Sequence, residues 1–177
     1  MPKIRHPHHA FRLKGSVLLV FLVLAFAILP PLPALARPLT FSGSVISIQD
    51  GDTISVVRRN HVEKVRLAGI DCPELRQAFG ARAKQFTSRL AFGKMVMVRV
   101  RDVDSYGRKI GEVILPDGRS LNRELVASGF AWRLTQSSKN KELARLEGAA
   151  RRAKRGLWAD AHPKPPWEFR KVGKAGR

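Results

Sequence analysis

Three β-branched runs, at residues 41–48, 54–58 and 62–70, follow one another with only short polar breaks between them. The breaks, Asp50-Gly51-Asp52 and Arg58-Arg59-Asn60-His61, have the chemistry of tight turns, so the runs read as a three-strand meander. Pro73 stops the third strand soon after residue 70. Phe79, Ala83, Phe86 and Leu90 then recur at helical spacing, with Gly93 as the stop. Val96, Val98 and Val100 alternate with Met97, Arg99 and Arg101, as in a strand with one buried face, and residues 109–115 read as its partner. Pro116-Asp117-Gly118 supplies the turn expected to close that pair. Leu121, Leu125 and Val126 mark a short helix ending near Gly129, and Leu143, Leu146, Ala150, Ala153 and Leu157 a longer one stopped by Gly156. Five strands and three helices in one small unit predict an α+β fold, a Greek-key barrel of the oligonucleotide-binding (OB) type with helices packed on it.

Ahead of this unit lies a basic stretch (Lys3, Arg5, Arg12, Lys14), an apolar run over residues 17–29 and the small-residue sequence Ala34-Leu35-Ala36. Together they read as a secretory signal peptide over residues 1–36. The apolar run is shorter than the ~20 residues a spanning helix needs, and Pro30, Pro31 and Pro33 block its extension. The chain is therefore expected to be secreted or periplasmic and free of the membrane once the leader is removed. The alternative is a domain tethered by an uncleaved leader. The folded domain is expected over residues 37–160, followed by a basic, proline-containing tail over 161–177 that reads as irregular or loosely docked.

The formal net charge of +19 points to a polyanion or an anionic surface as partner, without choosing between nucleic acid, acidic lipid and cell-wall polymer. Cys72 is the only cysteine, so no disulfide within the chain is possible and packing must hold the fold. Its expected role is a small buried filler. Outside the leader the histidines are His61 and His162, too few to build a zinc centre from nitrogen and sulfur ligands. Carboxylates and arginines are left to do any chemistry.

Those residues fall in three blocks: Asp50-Gly51-Asp52-Thr53, the stretch from Arg66 through Asp71-Cys72-Pro73 to Glu74, and Asp104-Ser105-Tyr106-Gly107-Arg108. Asp52 and Asp71, with a backbone carbonyl and water, make an oxygen site for a hard cation. Pro73 holds Cys72 extended, which can fix the Cys72 carbonyl and aim Glu74 into the same concavity. Arg66 lies on the strand face opposite Val65 and Leu67 and should point out of the barrel if those two are core. Gly107 permits a tight bend that can re-aim Arg108. Singly, each block is as consistent with a hairpin turn, a loop carboxylate or a solvated arginine. Jointly they provide a cation site and two guanidiniums matched to a phosphate.

The blocks, in this order and spacing over roughly residues 41–158, resemble those of the staphylococcal nuclease (thermonuclease) family. The segments 121–129 and 153–158 are similar to family segments as well. The resemblance implies an OB barrel with three helices and calcium-dependent cleavage of DNA and RNA, single strands preferred, leaving 3′-phosphate ends. It implies Arg66, Glu74 and Arg108 as the catalytic trio. Asp52, Asp71 and the Cys72 carbonyl take the place of the calcium ligands, and Tyr106 that of a substrate-binding residue in a monomeric enzyme. The chain departs from the family where it reads Trp132-Arg133-Leu134-Thr135-Gln136-Ser137-Ser138, without the tyrosines common there, and where Cys72 replaces a threonine. Two other readings remain. One is a basic barrel that binds nucleic acid without cutting it. The other is an adhesin for anionic surface polymers using Arg145, Arg151, Arg152, Lys154, Arg155 and the tail, charges that by default form a solvated helix face.

Overall fold

The computed structural model describes residues 39–134 and 140–175, with side-chain surroundings through residue 171. The leader and the segment Thr135-Gln136-Ser137-Ser138 lie outside the described residues. Seven strands are described: β1 (Thr40–Ile48), β2 (Thr53–Arg58), β3 (His61–Leu67), β4 (Ile70–Asp71), β5 (Met95–Val103), β6 (Lys109–Ile114) and β7 (Trp132–Arg133). With them are four α-helices: α1 (Gly80–Ala91), α2 (Leu121–Ala127), α3 (Lys141–Arg152) and α4 (Pro166–Ala175). Among the described residues no helix is long and apolar enough to cross a membrane.

Five strands close a barrel in the order β1-β2-β3-β6-β5, and β4 pairs with β7 in a separate two-stranded ribbon. Every barrel pairing is antiparallel except β3 with β6, which run parallel and seal the barrel. The alternating residues Val96, Val98 and Val100 do face inward, joining Val45, Ile54, Val56, Val65, Leu67 and Val113 in an apolar interior. Their outward neighbours Met95, Met97 and Arg99 are exposed. The barrel and α-helices thus realise the expected α+β OB architecture.

Three local expectations are revised. The third β-branched run is not one strand to residue 70, because a turn at Ala68-Gly69 divides it into β3 and β4. The divided chain is stitched by Asn122 at the start of α2, whose Nδ2 donates to the Ala68 and Gly111 carbonyls while its Oδ1 accepts from the Val113 N–H. The turn joining β5 to β6 is Asp104–Arg108, and Pro116-Asp117-Gly118 instead reverses the chain after β6, where Leu115 N–H bonds the Arg119 carbonyl. The long helix ends at Arg152, since Lys154 takes a positive φ of 49°. Leu157 keeps its buried place from a 3-10 turn (Gly156–Ala159), its N–H bonded to the Gly129 carbonyl.

The tail, read from the sequence as irregular or loosely docked, is in part helical. Residues 166–175 form α4, opened by Pro166, a residue suited to the first helical turn because its missing N–H would have no partner there. Trp167 lies edge-on to Trp132 at 5.7 Å between ring centroids, and Trp132 in turn meets Trp158 at 4.4 Å. Arg151 covers this pair, 3.8 Å above the Trp158 ring, so one cation of the expected solvated face is a stacking partner.

Candidate functional site

The barrel register gathers the three blocks. Antiparallel pairing sets Thr53 opposite Arg66, which puts Asp52 beside that arginine. Parallel pairing sets Arg66 opposite Ile110, two residues beyond Arg108. One open cleft of about 410 Å³ is lined by Asp50, Asp52, Thr53, Arg66, Asp71, Cys72, Pro73, Glu74, Tyr106, Arg108 and Arg170. The residues expected to act as the catalytic trio, the cation ligands and the substrate contact are all on its wall, and Arg170 is the addition.

Asp52 is held by its own loop. Asp50 Oδ1 accepts from the N–H groups of Asp52 (3.0 Å) and Thr53 (2.7 Å), and the Thr87 hydroxyl of α1 donates to the Gly51 carbonyl. Glycine is required at position 51, where a Cβ would lie 2.6 Å from that of Cys72 and 2.9 Å from that of Ala83. Asp52 Oδ2 accepts from the Cys72 N–H, tying the first block to the second. Burial pushes the Asp52 carboxyl up to about 7, with Asp50 and Asp71 adding to the effect and Arg66 and the Cys72 N–H opposing it. Burial also raises the Cys72 thiol well above its ordinary value, with Asp52 contributing, which suits an inert filler rather than a nucleophile.

Arg66 does leave the barrel, between buried Val65 and Leu67. Its Nη1 reaches Asp52 Oδ2 at 2.9 Å and the Ile70 carbonyl at 3.1 Å, and its Nη2 reaches Asp71 Oδ1 at 2.7 Å. Burial works against its charge, but the two carboxylates outweigh that and hold the guanidinium above its ordinary value. Arg108 is fixed by a different device. Gly107 takes a φ of 77°, and Asp104 accepts from the Tyr106 and Arg108 N–H groups through Oδ1 and from Arg108 Nε through Oδ2 at 2.7 Å. Arg108 lines the cleft, with its guanidinium 5.6 Å from the Tyr106 ring. Tyr106 is 84 % exposed, an open aromatic surface at the rim.

Asp71 sits on β4 and is almost wholly buried, whereas Glu74 is partly exposed. Both are engaged by the tail. Arg170 of α4 places Nη2 2.8 Å from Asp71 Oδ2 and Nη1 2.7 Å from Glu74 Oε1. Its bonds to Asp71 raise the Arg170 guanidinium above its ordinary value, Glu74 adding to the effect and partial burial opposing it. Reasoning from sequence missed this residue. The available signal was amphipathicity after Pro166, where Trp167 and Arg170 stand three residues apart on one helical face.

Among the described residues no three His, Cys, Asp or Glu side chains converge as metal ligands. Of the four carboxylates on the cleft wall, Asp52 and Asp71 are the pair with the Cys72 backbone beside them. That all-oxygen set suits a hard divalent cation held weakly, with water completing its shell. Arg66 and Arg170 between them bond both oxygens of Asp71.

Comparison with known proteins agrees with this geometry. The family model described as staphylococcal nuclease homologue matches residues 64–160, a span that includes Arg66, Asp71, Glu74 and Arg108, with Asp52 just upstream. An uncharacterized endonuclease of Escherichia coli O157:H7 is 41 % identical over 128 residues, covering 72 % of this chain and 84 % of that protein. A micrococcal nuclease of Shigella flexneri is 39 % identical over 144 residues, covering 76 % and 83 %. A probable staphylococcal-like nuclease of Oryza sativa subsp. japonica is 34 % identical over 127 residues, 72 % of this chain but 33 % of the longer plant protein.

Proposed function

The chain belongs to the staphylococcal nuclease family and is a nuclease of the hydrolase class, and from that premise we propose that it is an exported, calcium-dependent endonuclease acting on DNA and RNA. The supporting observation is that one cleft presents Arg66 and Arg108 beside a carboxylate-rich wall. In this reading the protein works as a monomer, prefers single strands and leaves 3′-phosphate ends. The leader carries it out of the cytoplasm and is then removed.

The chemistry follows from the charges. A phosphodiester is anionic and gains negative charge on its equatorial oxygens as water attacks in line. Arg66 and Arg108 offer planar, bidentate donors to those oxygens, a geometry that lysine does not reproduce. Asp104 orients Arg108 and leaves its Nη groups free for this purpose. Glu74 positions the attacking water and accepts its proton, being the half-exposed carboxylate of the cleft. Asp52, Asp71 and the Cys72 carbonyl would hold calcium, which when bound supplies further positive charge to the scissile phosphate. Tyr106 at the rim gives a base a face to stack on.

Labelled single-stranded DNA incubated with the purified protein, with and without calcium, tests the reading. Cleavage should vanish in excess chelator, and Arg108→Ala should lower turnover on the order of 10³-fold while remaining folded. Full activity in chelator removes the metal from the reaction. A loss under tenfold in the folded variant removes Arg108 from it.

A further inference from the structure

Arg170 has one guanidinium on the two carboxylates that the proposed reaction most needs free. Asp71 receives both of its Nη groups and Glu74 receives one. The contact is built rather than incidental, because α4 is anchored at two further points. Trp167 packs on Trp132, and the Gln77 side chain, from the loop just after Glu74, donates to the Lys164 carbonyl at 2.6 Å. Gln77 also accepts from the Glu74 N–H, so one side chain bridges the carboxylate loop and the start of the tail.

We propose that α4 is a cation-displaceable latch: Arg170 bridges Asp71 and Glu74 in the resting protein and leaves when a divalent cation takes its place. The inference rests on the reading of Asp71 as a calcium ligand and Glu74 as the water-positioning carboxylate. The electrostatics favour such an exchange. Asp71 is buried between two guanidiniums, and Arg66 supplies one of them. Arg170 supplies the second while its own side chain is 45 % exposed, so it can return to water at little cost. A divalent ion entering as one guanidinium departs keeps the buried carboxylate compensated throughout. The released helix carries Arg170 and Lys171 beside the cleft, where they add to the field drawing in a polyanion.

The latch has a measurable consequence independent of turnover. Calcium must bind the unlatched fraction, so its apparent affinity is lowered by that fraction. Calorimetric calcium titration of the full chain and of Arg170→Gln is expected to show about tenfold tighter binding in the variant. Trp167→Ala, which loosens the anchor and leaves the carboxylates untouched, should shift affinity the same way. In the wild type, calcium should speed hydrogen exchange of the α4 amides. Equal or weaker calcium affinity in Arg170→Gln overturns the latch, as does unchanged α4 exchange on calcium binding. The two readings fail separately. A protein that cuts only with calcium yet binds it indifferently to Arg170 loses the latch alone. One that shows the affinity shift but cuts equally well in chelator keeps the latch and loses the metal's part in cleavage.

Discussion

Arg66→Met offers a sharp test of the charge arrangement, because methionine keeps much of the stem and removes every directed N–H. Arg66 compensates two carboxylates that are 4 % and 2 % exposed, those of Asp52 and Asp71. Breaking a buried pair from one side costs about 3–5 kcal/mol. Asp71 keeps Arg170 at 2.8 Å, but Asp52 has no second cation within ion-pair distance among the described residues and retains only the Cys72 N–H and a long contact from Thr53. Burial holds the Asp52 carboxyl at about 7, so the pair with Arg66 is fully charged only above that pH: the expected cost is ~3 kcal/mol at about pH 8 and above, and it shrinks as pH falls below 7 and Asp52 takes up a proton. Urea unfolding in metal-free buffer, followed by the fluorescence of Trp132 and Trp158, should show the midpoint falling by roughly 1–3 M at constant m. Arg99→Met is the control: its pair with Glu112 spans 3.7 Å and its side chain is 55 % exposed, so a change under ~1 kcal/mol is expected. If Arg66→Met behaves like that control, the claim that it compensates a buried carboxylate pair is wrong.

Two other perturbations probe separate parts of the molecule. Asn122→Leu orphans the Val113 N–H and removes the donor to the Ala68 and Gly111 carbonyls, so unfolding should show a loss of about 2–4 kcal/mol, and a near-neutral variant would deny that this side chain stitches α2 to the divided strand. Tyr106→Ala removes an exposed ring, so stability should hold while KM for single-stranded DNA rises by roughly 5- to 100-fold, and an unchanged KM would remove the tyrosine from substrate binding.

The sequence revealed much of the barrel because its inner face is written in period two. Val96, Val98 and Val100 could be assigned to the interior from alternation alone, and Arg66 to the exterior from the burial of Val65 and Leu67. The site was legible for a related reason: turn chemistry marks where strands end, and the carboxylates stand at those ends. What alternation cannot express is long-range pairing. The parallel contact of β3 with β6 joins residues more than forty apart and is what brings Arg108 alongside Arg66. The division of the third strand was hidden for the same reason, since the group that stabilises it, Asn122, lies 54 positions from Ala68. The helix in the tail was not legible because proline and clustered positive charge read as irregular or loosely docked chain, and its order is visible only in the partners of Trp167 and Arg170.

A chain with formal charge +19 that concentrates carboxylates in one cleft faces opposing requirements. The basic surface draws in a polyanion, yet four carboxylates on the cleft wall, from Asp50, Asp52, Asp71 and Glu74, would repel the phosphate that must enter there. Arg66 answers this for Asp52 and half of Asp71, and Arg108 on the cleft wall pairs with Asp104, which is not among the cleft's own acids. The remainder, the outer oxygen of Asp71 and Glu74, is the part that a divalent cation would otherwise have to cover before any substrate could approach. Arg170 covers those oxygens from a separate helix, which is why its removal should strengthen cation binding rather than weaken it. On the proposed latch, the same helix would make calcium binding depend on ionic strength, because a half-exposed ion pair is screened by salt far more than the buried Arg66 pairs are. Raising salt should therefore narrow the difference in calcium affinity between the wild type and Arg170→Gln, whereas a latch held by packing alone would leave that difference constant.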